Sequence, residues 1–94
     1  MDDLKTDVVH AYLRNWFPGH QINDLEDFGH DGRVFEVMWG ADCHCLFLER
    51  HVLEMSSSEE LARRLNAWQI ATCLRRAGGR RVVVTSHGVS MAPD

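Results

Sequence analysis

A helix opens at Ser56-Ser57-Ser58-Glu59-Glu60 and closes at Gly78-Gly79, and the rest of the reading is built around it. A serine followed three residues later by glutamate can exchange two hydrogen bonds with the free N–H groups of a first helical turn. Two such boxes overlap here, Ser56 with Glu59 and Ser57 with Glu60. Glycine readily takes the left-handed conformation that ends helices. Arg75 and Arg76, in the last turn, suit the negative end of the helix dipole. At about 100° per residue, Leu61, Leu65, Trp68 and Thr72 fall within about 60° of one another. Ile70, Leu74 and Ala77 lie about 160–220° away from Leu61. A single helix over 57–77 therefore carries apolar side chains on opposite sides. A helix lying on a sheet needs one stripe. The second predicts another cover, from an earlier helix or from a second chain, and makes Trp68, Ile70 and Leu74 the expected interface residues.

Upstream, Leu4, Val8, Ala11 and Tyr12 recur at helical spacing, and Val9, Leu13, Trp16 and Phe17 widen the stripe. Asp2, Asp3 and Asp7 favour a helix N-terminus, and Pro18-Gly19 stops the helix. Residues 20–32 follow no clean period: Ile22, Leu25 and Phe28 fit either a short strand or an irregular acidic loop. Gly29-His30-Asp31-Gly32 is turn chemistry. Arg33 to Trp39 is rich in β-branched and aromatic residues and reads as a strand, with Phe35, Val37 and Trp39 on one face. Gly40-Ala41-Asp42 is a hairpin-sized connection. A third strand runs from Cys43 to about Val52, and its run Cys45-Leu46-Phe47-Leu48 predicts cover on both faces. Arg80 to Thr85 is a last strand, and 86–94 reads as a flexible C-terminal tail.

The expectation is one α+β domain, 1–94: a small, mainly antiparallel sheet in the order α-β-β-(β)-α-β, packed by two helices. A helix, a three-stranded meander and a second helix is also the order of double-stranded-RNA-binding domains, a likeness of fold that does not carry function. Such domains present lysines at the start of the second helix, where this chain has Glu59 and Glu60.

Composition narrows the class. The 94 residues are 45% hydrophobic and 26% charged, which excludes a disordered chain. No run approaches the roughly 18 apolar residues of a membrane span. The acidic N-terminus lacks the basic-then-apolar pattern of a signal peptide, so the cytoplasm is the expected compartment. Three cysteines cannot all pair and are expected as free thiols. Each of the three tryptophans, Trp16, Trp39 and Trp68, is expected to anchor an element in the core. The net charge of −4 is unevenly spread: residues 1–31 hold seven acids and two bases, and residues 61–90 hold six arginines and no acid.

Chemistry-bearing patterns are sparse. Cys43-His44-Cys45 offers thiolate and imidazole, the natural zinc ligands. On a strand Cys43 and Cys45 share a face, and a tetrahedral site needs two more ligands, from His51, Cys73 or His87. The histidines show no paired metal spacing, and adjacent Ser86-His87 point to opposite faces, so they cannot serve as nucleophile and base. Asp24, Glu26, Asp27 and Asp31 match no hard-cation loop and read as a solvated acidic stretch. The sequence supplies no catalytic residues and implies no cofactor, which leans away from an enzyme. Arg63, Arg64, Arg75, Arg76, Arg80 and Arg81 form a basic set suited to phosphate contacts, against a pI of about 5.8 and no exposed-looking aromatics among them. The reading is a small protein–protein interaction module, a homodimer or adaptor. Its alternatives are a nucleic-acid-binding module using the arginine set and a small zinc protein using Cys43 and Cys45.

Overall fold

The computed structural model describes residues 3–27 and 29–91, so Met1, Asp2, Phe28 and residues 92–94 lie outside it. In chain order the described elements are α1 (Asp3–Trp16), β1 (Gln21–Asp27), β2 (Gly32–Trp39), β3 (Asp42–Glu49), α2 (Arg50–Met55), α3 (Ser58–Ala67), α4 (Ile70–Ala77), β4 (Arg81–Thr85) and β5 (Gly88–Met91). The strands form one sheet in the order β1-β2-β3-β4-β5. Every neighbouring pair is antiparallel except β3 and β4, which run parallel across the α2–α3–α4 connection. The α+β class and the mostly antiparallel sheet stand. That parallel pair and the outer strand β5 take the topology beyond a helix, meander and helix.

The core fills the space between one sheet face and the helices. Phe35 and Val37 from β2, Leu46 and Leu48 from β3, and Val82 and Val84 from β4 meet Val9, Tyr12 and Leu13 of α1, Val52, Leu61, Leu65 and the buried residues of α4. The opposite face carries a cross-strand row of Leu25, Val34, Phe47 and Val83. Val34 and Phe47 are buried there as well, so the apolar run of β3 is covered on both sides, as its lost alternation predicts. Phe47 reaches that burial by lying on Gly32, where a Cβ would stand 2.5 Å from its ring and 2.4 Å from the Leu48 carbonyl oxygen.

Four expectations need correction. Residues 57–77 are two helices, not one. Gln69 takes a left-handed conformation (φ 52°, ψ 50°) and the chain turns there. The turn lets Leu61 and Leu65 on α3, and Ile70, Ala71, Leu74 and Ala77 on α4, all face the core. With α2, this gives four described helices around the sheet in place of two. The third strand stops at Glu49, because Val52 is buried from a helix instead. Between the two readings open for residues 20–32, the structure takes the strand, at 21–27, with core-facing positions that include Asp24 and Glu26, polar residues that mask the period. Gly88–Met91 add to the sheet edge where a fraying tail was expected.

The caps follow ordinary rules at one helix and an unusual one at another. Of the two overlapping boxes, Ser57 with Glu60 forms: the Glu60 N–H donates to Ser57 Oγ (3.1 Å) and the Ser57 N–H to Glu60 Oε1 (3.3 Å). That bonding holds the Glu60 carboxyl below its ordinary pKa. Ser56 is buried, and its hydroxyl finds no partner among the described residues. α4 has no side-chain cap from Gln69. Its Ala71 N–H instead donates to the Tyr12 hydroxyl (3.0 Å), a contact across 59 residues.

Candidate interaction surface

At the end of α1 the chain reverses through Phe17-Pro18-Gly19. The Phe17 N–H still donates to the Leu13 carbonyl (2.8 Å), and the His20 N–H donates to that of Phe17 (3.2 Å). Gly19 takes φ +81°, which glycine adopts freely. This turn brings aromatic rings from three elements together. Phe17 is buried at their centre. The ring of His20 lies 5.4 Å from Phe17, and that of His44, from β3, lies 5.5 Å from it. Trp39, at the end of β2, packs on His20 at 5.2 Å. Trp16 leans on Tyr12 at 6.3 Å.

The C-terminus of α4 completes this end of the molecule. The Arg75 guanidinium sits 4.9 Å from the centre of the Phe17 ring and donates to the Trp16 carbonyl at 2.8 Å. His44 Nδ1 is 3.1 Å from the Gly78 carbonyl oxygen. A carbonyl only accepts, so Nδ1 carries the hydrogen of that bond.

Exposure distinguishes this cluster from a core. Trp39 is 59% exposed and Trp16 43%. Neither anchors its element inside, contrary to the expectation from residue type, and Trp68 is only half-buried. A legible signal lay in their positions. Trp39 directly precedes the Gly40-Ala41 turn and Trp16 occupies the last turn of α1, where an element runs out of partners. Tryptophan and arginine are the residues most enriched at binding hot spots, since a large amphipathic ring gains much contact for little lost freedom.

The residues singled out in the sequence are otherwise dispersed. Ile70 and Leu74 are fully buried in the chain's own core. Cys43 and Cys45 do share a face, the one opposite the helices, with Cys43 exposed and Cys45 half-buried. Both thiols are pushed above their ordinary pKa, first by desolvation. His44 points to the other face; Cys73 lies on α4, with its thiol 3.6 Å from the Trp68 carbonyl. His51 is on α2 and His87 in the β4–β5 turn. Among the described residues no group of three or more His, Cys, Asp or Glu side chains is placed to hold a metal ion.

The arginine set spreads over several elements. Arg63 and Arg64 stand exposed on α3, Arg75 and Arg76 end α4, and Arg80 lies in the turn before β4. Arg81 crosses the helix-free face to Asp27 (3.2 Å). The acidic stretch is equally engaged. Asp24 accepts from His10 (2.5 Å) and from Arg33 (2.8 Å), which hold its carboxyl below the ordinary range. Arg50 bridges Asp31 (2.6 Å) and Glu26 (3.0 Å). Beside this network is a cleft of about 360 Å³ lined by Lys5, Arg33, Arg50, Glu26 and Glu54. Its cations already have protein partners: Lys5 Nζ, for instance, donates to the Leu53 carbonyl at the end of α2 (2.6 Å). The charges here join α1, the β1–β2 hairpin and α2.

Compared with known proteins, the chain matches no family model, no curated protein and no solved structure. No helix among the described residues is long and apolar enough to cross a membrane.

Proposed function

We propose that the chain is a cytosolic protein–protein interaction module that docks its partner at the end formed by Trp16, Trp39 and Arg75. One observation carries this reading: two of the three tryptophans are exposed around a buried phenylalanine, beside an arginine fixed by a main-chain carbonyl. Indole area held by a rigid base and flanked by a pre-placed guanidinium is the composition of a binding hot spot. A surface of this kind is ordered before binding, so less conformational freedom is lost on association.

A second copy of the chain is one form such a partner takes. A self-interface would have to use surface beyond Ile70 and Leu74, because neither has any exposed area. The experiment is site-specific photo-crosslinking in cells, with a photoreactive phenylalanine at position 39 and, as a control, at exposed Glu59 on α3. Protein adducts at position 39 and not at 59 support the reading, and a self-adduct identifies the homodimer. Equal labelling at both positions, or adducts with nucleic acid only, overturns it.

A further inference from the structure

We infer that the partner segment is an acidic stretch of polypeptide whose carboxylates meet Arg75 and Arg76 while an adjacent apolar side chain lies on Trp39; this rests on the interaction-module reading. Five of the nine arginines divide into two groups. Arg33, Arg50 and Arg81 each hold a carboxylate of the N-terminal third, at 2.8, 2.6 and 3.2 Å. Arg75 and Arg76, in the last turn of α4, have no carboxylate within ion-pair distance among the described residues. Arg75 spends one N–H on the Trp16 carbonyl and rests against Phe17, which fixes its plane. A guanidinium has five N–H donors in a rigid fork, and the remaining ones match a carboxylate in a two-point contact.

The acid facing Trp39 across the hairpin is the single exposed residue Asp42. The chain as a whole is at −4, and the two arginines at this end offer an acidic segment a local complement. Nucleic acid fits less well. Phosphate backbones are bound by extended basic tracks. Here Arg63 and Arg64 lie on another helix and Arg81 is committed to Asp27. A short segment with one or two carboxylates requires no more than the two arginines present.

The test is selection of a random displayed peptide library on the immobilised full chain, followed by measurement of each selected peptide's affinity. The expected peptides combine Asp or Glu with a large apolar residue. Arg76→Glu is expected to weaken them by about tenfold; its side chain is exposed, and circular dichroism of the variant checks that the fold is kept. Replacing the peptide's acid by lysine is expected to restore binding to the Arg76→Glu chain. Selected peptides without acidic bias that still depend on Trp39 overturn this inference and leave the interaction reading standing. Peptides indifferent to Trp39→Ser overturn both. Recovery of no peptide, or preferential displacement by an oligothymidylate over a free acidic peptide, also overturns the inference.

Discussion

Tyr12→Phe removes a single oxygen and should cost more than its size suggests. The ring stays, so the burial of Tyr12 in the core and its contact with Trp16 are unchanged. What disappears is the acceptor for the Ala71 N–H at 3.0 Å. Ala71 is 3% exposed, so water cannot replace the lost partner. Leaving a buried N–H unsatisfied costs about 1–3 kcal/mol. The first turn of α4 has no side-chain cap from Gln69 to share the loss. A value of about 2 kcal/mol lowers the Tm of a domain this size by roughly 8–16 °C. Urea unfolding followed by circular dichroism measures it, with an unchanged m-value showing that the folded state is retained.

A second readout comes from the phenol itself. Burial pushes the Tyr12 pKa above its ordinary value, outweighing the bond from Ala71. The folded chain thus keeps the proton longer than the unfolded chain, so stability contributed by this group is full below about pH 10 and falls as the pH rises through the folded pKa. Tyr12 is the only tyrosine, so its ionisation can be followed by ultraviolet absorbance without interference from another phenol. A loss below about 0.5 kcal/mol in Tyr12→Phe would refute the capping role, because it would be smaller than the net worth of an ordinary hydrogen bond.

Three further outcomes follow from the same geometry. Gly32→Ala places a Cβ against the Leu48 carbonyl and the Phe47 ring, and the strain should cost about 1–3 kcal/mol; an unchanged urea midpoint contradicts this. Gln69→Gly relieves a left-handed backbone (φ 52°) and, after glycine's larger unfolded-state entropy is offset, should stabilise by about 0.5 kcal/mol in the same assay; a loss of stability contradicts it. The bonds from His10 and Arg33 depress the Asp24 pKa, so its contribution is present above the ordinary carboxyl pKa and is lost as pH falls through the folded value. Asp24→Asn should therefore flatten the acid limb of a stability–pH profile measured from about pH 5 to 2; an acid limb identical to that of the parent contradicts it.

The sequence makes the elements that obey a single local rule easy to find. The α1 stop at Pro18-Gly19, the Gly40-Ala41 hairpin and the Ser57–Glu60 box are each set by a few adjacent residues. Residues 57–77 carry apolar side chains on opposite sides of one helical wheel. The explanation is a turn at Gln69, a residue with no special left-handed preference, so the break had no local signal. β1 was obscured for a different reason. Its core-facing Asp24 and Glu26 are tolerated only because His10, Arg33 and Arg50 come from elsewhere in the chain to meet them. The proposed docking end is not legible because tryptophan is by residue type a core residue. Trp16, Phe17, His20, Trp39, His44 and Arg75 come from four separate parts of the sequence, and no spacing links them.

The most direct test of the docking surface is the affinity of the protein partner captured at position 39, measured with the parent chain and with Trp39→Ser. Trp39 is 59% exposed, so the variant is expected to keep the parent's circular dichroism and Tm. A hot-spot indole contributes about 2 kcal/mol or more, which is roughly a 30-fold rise in Kd. An increase of that size with the fold intact is the predicted result; a Kd within about twofold of the parent contradicts the account.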